Sequence, residues 1–376
     1  MIDYSKVGLP ADFANDSKLT VEVYGRSRIG ARHFAFALRS PKAKGSKTLE
    51  PKSGLRIFAA ISLTLALSLA SISPSNAADP YASTTSFLAK SFVNGQALDG
   101  YPAGTPEFGF TLEAMLQLKA GGKSLAQQGS AVKYMLSNRT QPLGVSSSGY
   151  LFNKDTAKSL KVGRVGKFLF VSEVLNVPNN AIRYEVFKKL AAKVDSKTGE
   201  ILGTEAGAFD YAWVALGLNS FQENTLANRV VQKMLTLQNA DGGFGDSTAT
   251  TSNPDATGIA LQAINYRQTF GSDAEDKKRA TAESLAVKYL LASDVENNHW
   301  NSYGEASVNS SAYALMGLKA AGKTTSTLAP YLKWLKAQIA PKGGFLTPWS
   351  AGIGDKYATA QAMVALYGKS YLDLLP

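Results

Sequence analysis

The sequence predicts an all-α fold, an (α/α)6 toroid: six helical hairpins closed into a ring of two concentric helix layers. Three observations predict it. A glycine-plus-aromatic turn recurs six times and is followed about a dozen residues later by an alanine-rich helix. Two kinds of helix alternate, one apolar on most faces and one amphipathic. An unpaired helical segment opens the repeats and a truncated unit (residues 371–376) ends them, and closure of a ring needs such complementary ends.

The apolar helices form the expected inner layer. Aligned on an Ala-Leu-like pair, their anchors are Gly109, Gly163, Asp210, Asp255, Asn309 and Asp355, spaced by 54, 47, 45, 54 and 46 residues. The clearest copies read Asp210-Tyr-Ala-Trp-Val-Ala-Leu, Asp255-Ala-Thr-Gly-Ile-Ala-Leu and Asn309-Ser-Ser-Ala-Tyr-Ala-Leu. Small residues such as Ala212, Gly217, Gly258, Ala314 and Gly317 leave these helices without a continuous polar face, so they are buried on most sides. The turn aromatics or their stand-ins are Tyr101, Tyr150, Ile201, Phe244, Trp300 and Phe345, which precede the anchors by 8 to 13 residues. Two periodic features in phase along a domain mark a repeat architecture.

The amphipathic helices form the expected outer layer, at residues 124–137, 181–194, 226–238, 282–292 and 326–339. The segment 83–93 is the sixth partner. In 226–238, Val231, Met234 and Leu235 fall at helical spacing, with Arg229, Gln232 and Lys233 opposite. An open solenoid has repeats of similar length, but it requires polar capping repeats, and neither end of this chain reads as one.

Composition narrows the function classes. The 376 residues are 45% hydrophobic and 18% charged, a globular balance, with no cysteine and therefore no disulfide or thiolate chemistry. The net charge is +11, but 11 of the 40 Lys and Arg and 5 of the 29 Asp and Glu precede Ala78; the remainder nets +5. No Lys/Arg cluster interleaved with aromatics follows, so nucleic acid is not an expected partner.

Residues 57–72 are apolar, Lys52 and Arg56 precede them, and Ser75-Asn76-Ala77 supplies a small-x-small cleavage site. This predicts a secretory signal peptide at 55–77. The apolar run is shorter than the roughly 20 residues of a spanning helix, so no stable membrane span is expected after cleavage. Residues 1–54 are read as a non-native or disordered extension from a misassigned start, the true start being a codon now translated as Leu49 or Leu55. The toroid domain is 78–376, secreted or at the cell surface.

The turn Gln238-Asn-Ala-Asp-Gly-Gly-Phe-Gly245 resembles the QW-type and GGFG motifs of the terpenoid cyclase and protein prenyltransferase superfamily, with its prenyltransferase/squalene oxidase-type repeats. Gln338-Ile-Ala-Pro-Lys-Gly-Gly-Phe345 is a looser copy. The resemblance spans residues 80–376 and implies the toroid. Physically, Gln238 and Gln338 can bond orphan carbonyls at a helix end. Gly242, Gly243, Gly343 and Gly344 allow a left-handed exit, and Phe244 and Phe345 pack between units.

The chemistry that the resemblance implies lacks its residues. A prenyltransferase-type zinc held by Asp, Cys and His is excluded by the absence of cysteine, and His299, the one histidine after the signal, reads as a packing residue beside Trp300. The cyclase Asp-x-Asp-Asp motif is approached only by Asp273-Ala-Glu-Asp276, which reads as the solvated first turn of an outer helix. No cofactor and no metal site is expected.

A binding site is expected where the inner-helix N-termini converge, each with about half a positive charge. Asp210, Asp255, Asn309 and Asp355 stand there as N-caps or as a polar ring for a head group or cation. Tyr211, Trp213, Trp300, Tyr303, Tyr313, Trp349 and Tyr357 are the candidate aromatic lining, with Phe209 beside them. The expected function is binding of an apolar or amphipathic small molecule, chain-like in one form, or of a glycan, in the central cavity. The alternatives are a terpenoid cyclase, prenyltransferase-like or polysaccharide-active enzyme, and a non-catalytic surface interaction scaffold.

Overall fold

Helices with apolar residues on every face alternate with one-sided helices along the computed structural model. It describes residues 79–100, 106–124, 126–137, 160–178, 181–246, 251–266 and 272–376. The chain divides into units Met1–Ser71 and Ile72–Pro376, and every described residue belongs to the second. The expected signal peptide at 55–77, the extension at 1–54, Tyr101 and Tyr150 lie outside the described residues.

The twelve α-helices among the described residues are α1 (Ala82–Lys90), α2 (Phe108–Ala120), α3 (Gly129–Ser137), α4 (Val162–Val174), α5 (Ala181–Ala191), α6 (Ala208–Asn219), α7 (Asn224–Leu235), α8 (Pro254–Asn265), α9 (Asp273–Ser293), α10 (Val308–Ala320), α11 (Thr325–Ala337) and α12 (Lys356–Leu366). The even-numbered helices are inner. In α6, every residue from Tyr211 to Asn219 is buried. The odd-numbered helices are outer. In α7, Ala227, Val230, Val231 and Met234 turn inward while the charged residues face out. Strands are short: β1 (Phe92–Val93), β2 (Ala97–Asp99) and β3 (Pro106–Glu107) form one antiparallel sheet, and β4 (Asn301–Ser302) and β5 (Glu305–Ala306) form a hairpin.

The ring closes between α12 and α2, where the Val364 amide donates to Gln117 Oε1 at 2.6 Å. Outer helix α1 completes the sixth hairpin on α12: Tyr367 donates to Asp79 at 2.5 Å, and its hydroxyl lies 3.2 Å from that of Thr85. Two other pairs of neighbouring inner helices, α8–α10 and α4–α6, meet backbone to backbone. A Cβ on Gly258 would lie 2.1 Å from the Tyr313 carbonyl oxygen, and one on Gly317 would lie 2.7 Å from Gly258 Cα. Gly166 and Gly217 play the same parts between α4 and α6. Gln117 occupies the corresponding place on α2, so the closing contact uses a side chain where α6 and α10 use glycine.

Each turn is tied to the inner helix that follows it. The backbone N–H groups of Leu98, Ile201, Phe244, Trp300 and Phe345 donate to the hydroxyls of Thr111, Tyr211, Thr257, Ser311 and Thr359, at 2.9 to 3.2 Å. Those five hydroxyls all sit at the fourth residue of their helix. Leu98 therefore fills the turn position that the sequence assigned to Tyr101. In the clearest turn Gly242 has φ +90°, and Phe244 and Phe345 are fully buried. Gln238 reaches the Gly242 and Ala282 carbonyls at 2.8 Å, which links the turn to α9, whereas Gln338 bonds the Trp334 carbonyl in its own last turn.

Two outer helices differ from expectation. α9 starts at Asp273 rather than at 282, because Ser272 and Glu275 form a reciprocal capping box that initiates a helix on charged residues. Asp273-Ala-Glu-Asp276 is therefore an outer first turn, away from the hub. Helix α1 stops at Lys90, and residues 92–93 pair as strand β1.

Candidate functional site: the mouth of the ring

The sixth residues of the inner helices are Glu113, Lys167, Trp213, Ile259, Tyr313 and Gln361, and all but half-buried Gln361 are buried. Four of them meet around one carboxylate. Glu113, 3% exposed, is paired with Lys167, accepts from the Tyr313 hydroxyl at 3.0 Å and from the Gln361 amide at 2.6 Å. The Lys167 ammonium also lies 4.9 Å from the centre of the Trp213 ring. First-turn residues of α6, α8 and α10 line one pocket, and residues at the C-terminal ends of α4 and α8 line another with 372–376, so these inner helices bring their N-termini to one mouth and their C-termini to the other.

Below this layer the hub is filled from the chain's own end. The 3-10 helix η1 (Tyr371–Leu374) inserts Tyr371, which is fully buried. Its ring centre lies 5.6 Å from that of Trp213, 6.4 Å from that of Tyr313 and 6.5 Å from that of Phe170. Its amide donates to Gln262 Oε1 at 2.8 Å, and Gln117 Nε2 donates to its hydroxyl at 3.4 Å. The last residues, 371–376, thus plug the C-terminal mouth rather than complete the outer layer.

Above the layer lies an open vestibule of about 500 Å3, bounded by Phe209, Asp246, Asp255, Tyr303, Glu305, Asn309, Tyr313, Thr347, Trp349 and Gln361 among others. The β4–β5 hairpin presents Tyr303 on its turn, wholly exposed, and the loop before α12 presents Trp349, 75% exposed. Asn309 donates to Gln361, which joins the rim to the Glu113 network. Asp255 is enclosed on nearly every side yet keeps accessible surface toward the vestibule. Burial raises its carboxyl to about 6; the Ser310 hydroxyl, donating at 2.6 Å, opposes this, and Asp246 and Glu113 add to it.

The vestibule gathers six of the expected residues: Phe209, Asp255, Tyr303, Asn309, Tyr313 and Trp349. The others lie elsewhere. Tyr211 is buried and accepts from the Ile201 amide, and Trp213 is sealed inside the hub. Trp300 is fully buried, stacked on Tyr331 at 4.7 Å and donating to the Leu290 carbonyl. Tyr357 donates to the Asp99 carbonyl at 2.9 Å and packs on Phe110. Asp210 packs against Gly163, where a Cβ would lie 2.1 Å from its carboxylate; burial raises its pKa against the pull of Arg164 and Lys167. His299 stacks on Trp334 at 4.8 Å.

Capping is also corrected. Of the four expected N-caps only Asp355 caps its helix, accepting from Ala358 at 2.7 Å. The other inner-layer side-chain caps are Glu107, Asn253 and Ser307. Asp255 and Asn309 stand two residues after their caps, and Asp210 three residues after Gly207. Among the described residues no three acidic or histidine side chains converge on a metal-ion-sized site, so the carboxylates at the mouth do not form a shared oxygen cage. Glu113, Lys167, Asp246 and Gln361 were not singled out from sequence. The signal for three of them was a polar residue at the sixth position of an otherwise apolar helix.

Six inner and six outer helices around a single hub define the class: this is the α/α toroid of the terpenoid cyclase type. Particular solved structures share it. The type II terpene cyclase MstE from Scytonema superposes with a TM-score of 0.55 over 76% of this chain and 96% of that one, at 14% identity. A single-substitution variant of MstE in complex with its substrate, geranylgeranyl dihydroxybenzoate, gives 0.56 over 78% and 97%, also at 14% identity. A protein from Actinoplanes gives 0.54 over 77% and 99%, at 14% identity. No protein-family model and no curated protein matches the sequence. Likeness at this identity is likeness of fold.

Proposed function

We propose that this chain is an exported binding toroid that holds a small, polar-headed molecule in the vestibule at the inner-helix N-termini. The observation that carries the reading is the shape of the hub. Tyr371, Trp213 and Tyr313 fill the axis that a chain-like ligand would need, while the about 500 Å3 above them is within the ordinary range for a small-molecule site. Export rests on the apolar run at 57–72 with its basic flank and small-x-small site. No described helix is long and apolar enough to cross a membrane. Native mass spectrometry of the full chain, recovered from the medium, tests both parts. A co-purifying small molecule lost in Trp349→Ala and Tyr303→Ala supports the reading. Retention of the chain in the cytoplasm overturns export, and a molecule that survives both substitutions overturns the site.

One observation favours a catalytic second reading. A carboxyl held partly protonated near pH 6 among aromatic side chains, as Asp255 is, has the character of a proton donor. Turnover of an added polyprenyl or glycan substrate, abolished in Asp255→Asn, would favour this reading over binding.

A further inference from the structure

We propose that the vestibule selects an organic ammonium ion, with its charged nitrogen toward Asp255, Asp246 and Glu305 and its hydrocarbon between Tyr303 and Trp349. The proposal rests on the vestibule reading above and names its ligand class.

Charge distribution is the first argument. The chain as a whole is basic, yet no lysine or arginine lines the vestibule among the described residues, while three acids do. The bases near the mouth are engaged elsewhere. Lys167 is paired with Glu113, Arg164 and Lys161 act on Asp210 of the adjacent helix α6, and Lys356 faces Asp99 at 3.4 Å. The helix ends work in the opposite sense. Four inner helices, α6, α8, α10 and α12, reach the vestibule, and their N-termini contribute together at most about +2 charges. Three ionised carboxylates outweigh this, so the vestibule attracts cations rather than the anions that bare helix ends attract.

The geometry of the acids and rings decides which cation. A hard metal ion needs a cage of oxygens, and the three acids do not converge on one point. Trp349 and Tyr303 expose most of their rings beside the acids, and partly buried Phe209 adds a third ring to the wall. Aromatic faces attract a weakly hydrated organic cation through the ring quadrupole, and its carbon atoms bury apolar surface that a bare ion lacks. A neutral sugar would also stack on Trp349, but it leaves the net negative charge of the vestibule unopposed. The raised carboxyl of Asp255 agrees, since a bound cation relieves the repulsion from Asp246 and Glu113.

The test uses the full chain and three soluble probes: choline, its neutral isostere 3,3-dimethylbutan-1-ol, and cellobiose. Of the four tryptophans, Trp213 and Trp300 are fully buried and Trp334 is stacked on His299 outside the vestibule, so a ligand-induced change in tryptophan emission that is lost in Trp349→Phe reports on exposed Trp349. Choline is expected to give a saturable change, at least about tenfold tighter than the isostere, and to weaken several-fold as ionic strength rises from about 0.02 to 0.5 M. Asp246→Asn with Glu305→Gln should weaken choline about tenfold and leave the isostere unmoved. Equal binding of choline and the isostere overturns the cation proposal, even if the double variant fails to fold. Saturation by cellobiose but not by choline overturns it and leaves the vestibule reading standing. No response to any probe, together with no co-purifying molecule, overturns both.

Discussion

Replacing Glu113 with glutamine removes the charge around which the inner layer is organised. The carboxylate is 3% exposed and accepts from Lys167, Tyr313 and Gln361. Glutamine keeps the shape and one acceptor oxygen but leaves the Lys167 side chain, 9% exposed, with an aromatic face as its main counterweight. Breaking a buried pair from one side costs about 3–5 kcal/mol, because the remaining charge stays buried without compensation. For a domain of about 300 residues the unfolding entropy is about 0.6 kcal/mol per degree, so Glu113→Gln should lower Tm by about 5–8 °C. Lys167→Met should cost a similar amount. The double variant should recover much of the loss, since the amide can still serve Tyr313 and Gln361 while the thioether packs on Trp213, giving a coupling of at least about 2 kcal/mol. Thermal unfolding followed by circular dichroism and calorimetry measures all four proteins. A Glu113→Gln Tm within about 1 °C of the parent, or a double variant equal to the sum of the singles, would refute the assignment of Glu113 as the centre of a buried ionic network.

Three further outcomes are expected. Gly258→Ala should destabilise by about 1–3 kcal/mol or more, because the new Cβ would meet the Tyr313 backbone carbonyl, which cannot yield as a flexible side chain would; an unchanged denaturation midpoint would show that α8 and α10 are not in backbone contact. For Asp255 the folded-state pKa of about 6 lies above the ordinary aspartate value of 3.8, so the folded chain holds this proton more tightly than the unfolded one. Stability is lost as pH rises from about 4 to 6, by at most about 3 kcal/mol, and Asp255→Asn should flatten that part of the pH profile and be the more stable protein at pH 8; parallel profiles for the two proteins would contradict the burial of this carboxyl. Tyr371→Ala should cost about 3–5 kcal/mol and open a cavity at the hub that takes up an apolar dye, read by fluorescence; a variant of parental stability with no dye uptake would mean that the C-terminal segment does not fill the axis.

The architecture was legible because its signals are local. A helix apolar on every face must be surrounded, and a helix apolar on one face must cover something; the alternation of the two, punctuated by Gly242-Gly243-Phe244 and its copies, specifies layers without any long-range information. The superposition on type II terpene cyclase structures agrees with that reading. The site was legible only in part. The anchors were aligned on helix interiors, but helix starts depend on caps, and those drift: Asp355 is a cap, Asp255 and Asn309 are second residues and Asp210 is a third. Each residue of drift turns a side chain by about 100°. This separates Asp255, which faces the vestibule, from Asp210, which lies against Gly163. Trp300 and Tyr211 were read as lining because aromatics cluster near the mouth, yet a turn aromatic and a fourth-position hydroxyl are bound into the staple between turn and helix.

By itself, then, the order of residues determined twelve helices, their two layers and the turns between them, since burial pattern and glycine placement act over a few residues. Only the tertiary structure decided what stands at the hub. Glu113 meets Lys167 across 54 residues, Tyr313 across 200 and Gln361 across 248, and Tyr371 takes the axis from the far end of the chain. Such encounters leave no periodic trace. They depend on the angle at which each helix enters the ring, and that angle is fixed by packing of the whole ring rather than by any one segment.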